Sequence, residues 1–484
     1  MITAVRTPLE FHGRLAGALA PFVIFLTGVV WLALSGAPDE KGFWPVLLAA
    51  LALGLALARD RTQYCDVVIE AMGQPIVMLM IMAWLLSGVL GVLLNASGFV
   101  EALVWGARQA HVTGAAYVGA AFLICAVVST STGTSFGTIM LAGPLLYPAG
   151  GGLGAPPAIL MGAILAGSTF GDSISPVSDT SIASAGSQLT DIPGTVRARL
   201  KYVIPAGLVA LTASMLLAGM VLGTGGTADA LGASASVASS DLSASSALAA
   251  SSALGAGSSG ALPMLLVPLV VVTLLIRKRH LLEGLFAGIA LTLALGMGLG
   301  LIAPATVLYI DHDAFGAKGL IIEGISRGVG VSIFTILLVG LVGALQASSS
   351  VEQVLLWARS TTVSPRRAEV WIVATVSMAV LLTTHSVVAM LTVGAFTREL
   401  GARAGLSAYR RANLLDMTVC TWPFLLPYFL PTILASSASA SGAAFGMRRV
   451  SPWEVGMANT YAWALVLTIA VIIVTGFGRS EGPA

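Results

Sequence analysis

The chain has 484 residues, of which 57% are hydrophobic and only 10% charged, with a formal net charge of +2. Soluble globular domains carry about 25% charged residues, so this composition, with a mean hydropathy of +0.93, excludes a water-soluble fold. No basic cluster extends beyond Arg277, Lys278, Arg279 and His280, which read as a cytoplasmic anchor, so no nucleic-acid partner is expected. The long continuous apolar runs are those of an all-α polytopic membrane protein, since a spanning helix needs about 20 such residues and a β-barrel would show short alternating segments.

Residues 15–34 follow Arg6 and Arg14 and are too long for a signal-peptide core, so they are expected to form the first transmembrane helix. Further apolar runs follow at 43–58, 72–94, 112–128, 155–170 and 202–223. After Gly223 comes a stretch to Gly260 made almost wholly of Gly, Ala and Ser, with Asp229 and Asp241 its only charges, which reads as a flexible linker. The second half resumes with runs at 262–276, 281–303, 329–346, 369–382, 418–437 and 456–477. These predict about 10–12 transmembrane segments, divided into N-terminal helices at 1–70, a first repeat unit at 71–222, the linker at 223–261, connecting helices at 262–303 and a second repeat unit at 304–478. Cys65, Cys125 and Cys420 lie in or beside apolar segments without metal-ligand spacing and are expected to be buried, unpaired thiols.

The repeat is visible without gaps. ASGFVEALVWGAR from Ala96 and ASSSVEQVLLWAR from Ala347 share Ala, Ser, Val, Glu, Ala and Arg at a constant offset of 251 residues, which also places Thr132 and Ser135 on Thr383 and Ser386. Basic residues at Arg59, Arg61, Arg197, Arg199, Lys201 and Arg277 to His280, taken as cytoplasmic, make the two halves inverted repeats with the linker outside. Arg448 and Arg449 then fall on the outer side, against that rule.

Gly, Ser, Thr and Pro interrupt both units at matching places, as expected of broken helices and re-entrant hairpins. Unwound backbone survives at membrane depth only where protein buries it or where it lines a watery cavity. The sharpest interruption is GDSISPVSDTS, Gly171 to Ser181, which sets two carboxylates, a run of hydroxyls and Pro176 inside an apolar chain. An ionised Asp at the bilayer centre costs about 2.5–3.5 kcal/mol on insertion scales and marks an ion or proton site by default. Sodium is a hard cation that takes oxygen ligands, so Asp172 and Asp179 are the expected cation-binding carboxylates, with Ser175, Ser178 and Thr180 beside them. Burial favours the protonated form of a carboxyl group, which lets one Asp hold either a proton or a sodium ion, and competition between the two at an alternately exposed site is sufficient for antiport. Asp416, followed by Thr418, Thr421, Pro423, Pro427 and Pro431, is the expected partner in the second unit. Thr132, Thr134, Ser135 and Ser386 would add hydroxyls, and His385 is a residue that titrates near neutrality.

GDSISPVSDTS resembles the Gly-Asp-x-x-Ser-Pro-x-Ser-Asp-Thr signature of the NhaC family of sodium/proton antiporters. TGTSFGT, Thr132 to Thr138, and LLDMTVCTWPFLLPY, Leu414 to Tyr428, resemble two further segments of that family, across roughly residues 70 to 475. Two positions depart from it: Ser173 stands where a basic residue is usual and Tyr428 where Trp is common. The resemblance implies an ion-transporter superfamily fold and sodium/proton exchange, with sodium-coupled movement of a small organic acid or amino acid as the alternative. The implied partners are sodium ions, protons and the lipid bilayer, in a multi-pass protein of the bacterial cytoplasmic membrane. A homodimer is the expected assembly, and no cofactor is implied. Gly133 to Gly137 formally matches a Gly-x-Ser-x-Gly nucleophile elbow, but that motif belongs in a strand-turn-helix of a soluble sheet, and no enzyme is expected.

Overall fold

The computed structural model describes residues 8–34, 41–112, 114–176, 178–223, 260–277, 280–311, 316–348, 364–384 and 386–479. His385, most of the expected linker and Glu352 to Arg359 of the repeat lie outside them, as does the side chain of Thr132. The first half comprises α1 (Leu15–Leu34), α2 (Phe43–Leu57), α3 (Arg61–Met72), α4 (Pro75–Ala96), α5 (Phe99–Gln109), α6 (Gly114–Thr132), α7 (Ser135–Leu153), α8 (Pro157–Ile174), α9 (Asp179–Gln188) and α10 (Ile192–Gly223). After α11 (Leu266–Ile276) and α12 (Leu281–Gly298), a two-stranded hairpin pairs Tyr309–Asp311 with Gly316–Lys318. The second half continues with α13 (Leu320–Ala347), α14 (Pro365–Thr383), α15 (Ser386–Arg403), α16 (Ala408–Val419), α17 (Leu430–Ser439) and α18 (Thr460–Thr475).

The polarity of the molecule is that of a protein in lipid. Large apolar side chains point outward on α10 and α18, with Leu216 62% and Leu467 65% exposed, a surface that water would penalise and lipid does not. Ser, Thr and several charged residues turn inward instead, among them Arg199, Arg410, Glu369 and Asp416. By length and composition α10, α13 and the α8–α9 pair are each able to cross a membrane, and α4 and α5 are long and apolar enough together, with a bend of 65° between them that fits a broken span or a re-entrant loop. Further apolar helices among the described residues include α1, α2, α6, α12 and α18, of 15–20 residues each.

The sequence offset of 251 recurs in the helix boundaries. Helix α6 runs from 114 to 132 and α14 from 365 to 383; α7 and α15 start at Ser135 and Ser386; α8 and α16 start at Pro157 and Ala408; α4 and α13 end at Ala96 and Ala347. The caps recur too. Ser97 Oγ donates to the Leu94 carbonyl at 2.7 Å and Ser348 Oγ to that of Leu345 at 2.6 Å. Gly133 (φ 69°) and Thr384 (φ 51°) end α6 and α14 in the left-handed conformation, which stops each helix and turns the chain into the next.

Helices α6, α7 and α8 pack closely on one another. A Cβ at Gly171 of α8 would collide with the Ala126 carbonyl oxygen and approach Ser129 Cβ to 2.7 Å, so glycine permits the contact that sets Asp172 against α6 and α7. Gly171→Ala is expected to lower the melting temperature of the detergent-solubilised protein, overpacking of this kind costing about 1–3 kcal/mol. An unchanged midpoint would show that α6 and α8 separate without cost.

Two expectations fail here. Cys65 is exposed, whereas Cys125 and Cys420 are buried, because α3, with Arg61, Gln63, Asp66 and Glu70, is a polar helix whose outer face includes residue 65. Arg199 is not a surface marker of the cytoplasmic side, as it is completely buried. Arg197, two residues away and so on the opposite side of α10, is exposed.

Candidate functional site

Helix α8 ends at Ile174, Ser175 turns to an extended conformation (ψ 127°), and α9 begins at Asp179 behind the Ser178 N-cap. Pro176 lies in this break, where its missing N–H and ring forbid a continuous helix. Asp172 sits on the last turn of α8, buried, and accepts a hydrogen bond from Ser135 Oγ at 3.0 Å on Oδ2. Ser135 is the first residue of α7, so the carboxylate meets a helix N-terminus, where the peptide dipoles favour negative charge. Its other oxygen, Oδ1, is buried with no hydrogen-bond partner. Ser178 stands beside the same carboxylate.

Asp416 is differently placed. It projects from α16 and forms an ion pair with Arg199 of α10, Oδ1 to Nη1 at 2.9 Å, both side chains being 0% exposed. Arg199 also donates from Nε to Asn413 Oδ1 at 3.1 Å, and from Nη1 to the Ser173 carbonyl at 2.9 Å and Ser181 Oγ at 3.1 Å. Ser184 Oγ donates to Asp416 Oδ2 at 3.3 Å. These acceptors offset part of the cost of burying the two charges, while Nη2 of Arg199 is buried without a hydrogen-bond partner. Asp416 and Asp172 are nevertheless not repeat mates: at the offset of 251, Asp172 corresponds to Pro423, in the 3₁₀ turn Trp422–Phe424.

The helix break does expose carbonyls, but protein groups take them. The Ser173 carbonyl accepts from Arg199, and that of Ser175 accepts from Ser181 Oγ at 2.9 Å. Ser175 Oγ itself donates to the Thr130 carbonyl at 2.7 Å, and Ser178 and Thr180 share a hydroxyl contact at 2.9 Å. Asp179 is exposed. As the first residue of α9 it complements the helix N-terminus, outside the buried cluster rather than opposite Asp172 within it. Thr134 caps α7, accepting from Gly137 N at 3.3 Å. Thr418 and Thr421 donate to the carbonyls of Leu414 and Thr418 at 2.7 and 2.6 Å, and Ser386 reaches the Val419 carbonyl at 3.4 Å. Of the expected hydroxyls, Ser135 and Ser178 are thus the two that meet the Asp172 carboxylate.

A second buried ion network was not anticipated. Glu369 of α14 bonds Arg410 of α16 (2.9 Å) and Arg479 (2.5 Å), and Arg410 also donates to Tyr202 Oη at 2.9 Å and to the Ile472 and Phe477 carbonyls at 3.1 and 3.0 Å. It ties α10, α14 and α16 to the C-terminal end of α18. Arg448 pairs with Glu454 at 2.5 Å, so this residue, awkward for the charge rule, is neutralised locally. Among the described residues no three His, Cys, Asp or Glu side chains converge; around Asp172 the ligand chemistry is oxygen, a carboxylate with hydroxyls.

Residues 49–193 match the family model described as the Na+/H+ antiporter family. Three curated proteins are similar over shorter stretches. A malate-2H(+)/Na(+)-lactate antiporter of Bacillus subtilis is 37% identical over 115 residues, 24% of either chain. The Na(+)/H(+) antiporter NhaC of Alkalihalophilus pseudofirmus is 29% identical over 139 residues, 29% of this chain and 28% of that one. An arginine/ornithine antiporter, ArcD, of Halobacterium salinarum is 36% identical over 124 residues, 26% of this chain and 25% of the relative. The matches span about a quarter of the length of these relatives.

Proposed function

We propose that this chain, whose residues 49–193 carry the sequence of the Na+/H+ antiporter family, is a secondary antiporter of the cytoplasmic membrane that exchanges sodium ions for protons at Asp172. The observation that carries the reading is a buried carboxylate with one oxygen held by Ser135 and the other unpartnered, at the point where α8 breaks. A bare carboxylate there is an uncompensated buried charge costing several kcal/mol. A proton or a sodium ion removes that cost, so only the two loaded forms pass between the faces, and the unequal stability of empty and loaded sites couples the two flows. Ser175, Ser178 and Thr180 line the break beside Asp172, and Asp179 is the exposed acid next to it. Asp416, already neutralised by Arg199, supplies no second exchangeable charge, which makes the exchange one for one.

Sodium-coupled transport of a small organic acid or amino acid is the second reading, favoured by the names of the Bacillus and Halobacterium relatives. Purified protein in liposomes loaded with a pH dye separates the two. Added sodium or lithium, but not choline, is expected to discharge the imposed proton gradient. No dye response to any cation, together with substrate counterflow, would transfer the assignment to the second reading.

A further inference from the structure

Two arginines that the ion site does not use lie where the turn at Gly405 joins α15 to α16. Asp191, just before α10, accepts a hydrogen bond from Tyr409 of α16 at 2.5 Å. That contact sets the turn beside Arg197 and Lys201, on the side that the basic residues mark as cytoplasmic. Arg411 of α16 is only 9% exposed. Its Nε donates to Gln188 Oε1 at 3.1 Å and its Nη1 to the Leu406 carbonyl at 2.5 Å, both neutral acceptors, which leaves Nη2 uncommitted. The stem of Arg411 lies against α15 at Gly401, where a Cβ would come within 2.3 Å of Arg411 Cδ. Arg398 is one turn from Gly401 on the same face of α15, close enough for its charge to oppose that of Arg411, and it is half-buried. Among the described residues neither arginine has an acid within ion-pair distance: Glu399 is taken by Arg403, and Glu369 by Arg410 and Arg479.

We propose that Arg398 and Arg411 form a phosphate-binding site, filled by the phosphodiester of an anionic phospholipid in the cytoplasmic leaflet or by free phosphate. A largely buried guanidinium whose partners are all neutral, with a second cation beside it, is an uncompensated charge that an anion relieves. Phosphate suits two guanidiniums better than a carboxylate does. Its oxygens point in several directions and accept from two planar forks at once, whereas the two oxygens of a carboxylate are satisfied by one fork. Basic pockets between helices on the cytoplasmic side are where anionic head groups dock. Leu189, next to Gln188 and 75% exposed, offers an acyl chain an apolar contact beside the pair. The inference goes beyond the ion-exchange reading and does not rest on it.

The test is isothermal titration of the purified full-length protein in detergent with dioctanoyl phosphatidylglycerol, with dioctanoyl phosphatidylcholine and with inorganic phosphate. Phosphatidylglycerol is expected to bind at least tenfold more tightly than phosphatidylcholine, whose phosphate carries its own cation. Arg398→Gln and Arg411→Gln are each expected to weaken phosphatidylglycerol at least tenfold, and half-buried Arg398 keeps the test valid if Arg411→Gln does not fold. Arg366→Gln, at an exposed position on α14, controls for diffuse attraction and is expected to leave binding unchanged. Binding of inorganic phosphate without phosphatidylglycerol, lost in Arg398→Gln, would uphold the site with free phosphate as its occupant. Binding of neither, equal binding of the two lipids, unchanged affinity in Arg398→Gln, or an equal loss in Arg366→Gln would each overturn the proposal.

Discussion

Asp172→Asn is expected to reduce sodium-driven proton movement in reconstituted vesicles to the level of protein-free liposomes, a loss of about 100-fold or more. The substitution keeps the shape of the side chain and an acceptor for Ser135 Oγ (3.0 Å in the native protein), so folding is expected to survive. What it removes is the charge. An amide neither takes up a proton near neutral pH nor offers sodium an anionic ligand, and interactions with a charged group are worth about 1.5–3 kcal/mol more than nothing, where each 1.4 kcal/mol is a factor of ten. Asp179→Asn is the informative contrast, because Asp179 is exposed at the start of α9 and its loss is expected to slow exchange only a few-fold. Wild-type exchange by Asp172→Asn, with loss of exchange in Asp179→Asn, would move the site to the exposed acid.

That contrast marks where sequence reasoning stops. GDSISPVSDTS announces a break because Pro176 and the surrounding hydroxyls cannot continue an apolar helix, and the chain does break between Ile174 and Asp179. Which of the two carboxylates faces inward depends on how the backbone turns through four residues, and side-chain types alone do not fix that turn. The repeat was legible because it lies in boundaries: Ala96 and Ala347 end helices, and Ser97 and Ser348 cap them. The ion pair between Arg199 and Asp416 was not legible. Arg199 sits among Arg197 and Lys201 in a stretch that reads as a cytoplasmic anchor, and its acid lies in the other repeat; only the tertiary packing of α10 against α16 joins them. A signal did exist in the helical period, which puts residues 197 and 199 on opposite faces of α10. Asp416 likewise read as a second ion ligand, because the basic residues of its own helix, Arg410 and Arg411, stand six and five residues away, off the i,i+4 spacing that pairs side chains.

Arg199→Ala and Asp416→Ala are each expected to destabilise the protein by about 3–5 kcal/mol, since removing one member of a buried pair leaves the other charge uncompensated. Both partners are fully buried here, and Arg199 also holds the Ser173 carbonyl next to Asp172, so the loss would be felt at the ion site as well. The charge-free double variant Arg199→Met with Asp416→Leu is expected to recover much of that stability, giving a coupling energy well above the few tenths of a kcal/mol of independent sites. Thermal melts of the detergent-solubilised proteins measure it; single variants that melt like the native protein would show that the pair is not structural. The same double variant decides what Asp416 does in transport. Sodium/proton exchange retained by a folded double variant means that Asp172 carries the exchanging charge alone and that the pair serves as a fixed brace between the repeats. A folded double variant without exchange means that the pair opens during the cycle and that Asp416 takes its turn as an ion-binding acid.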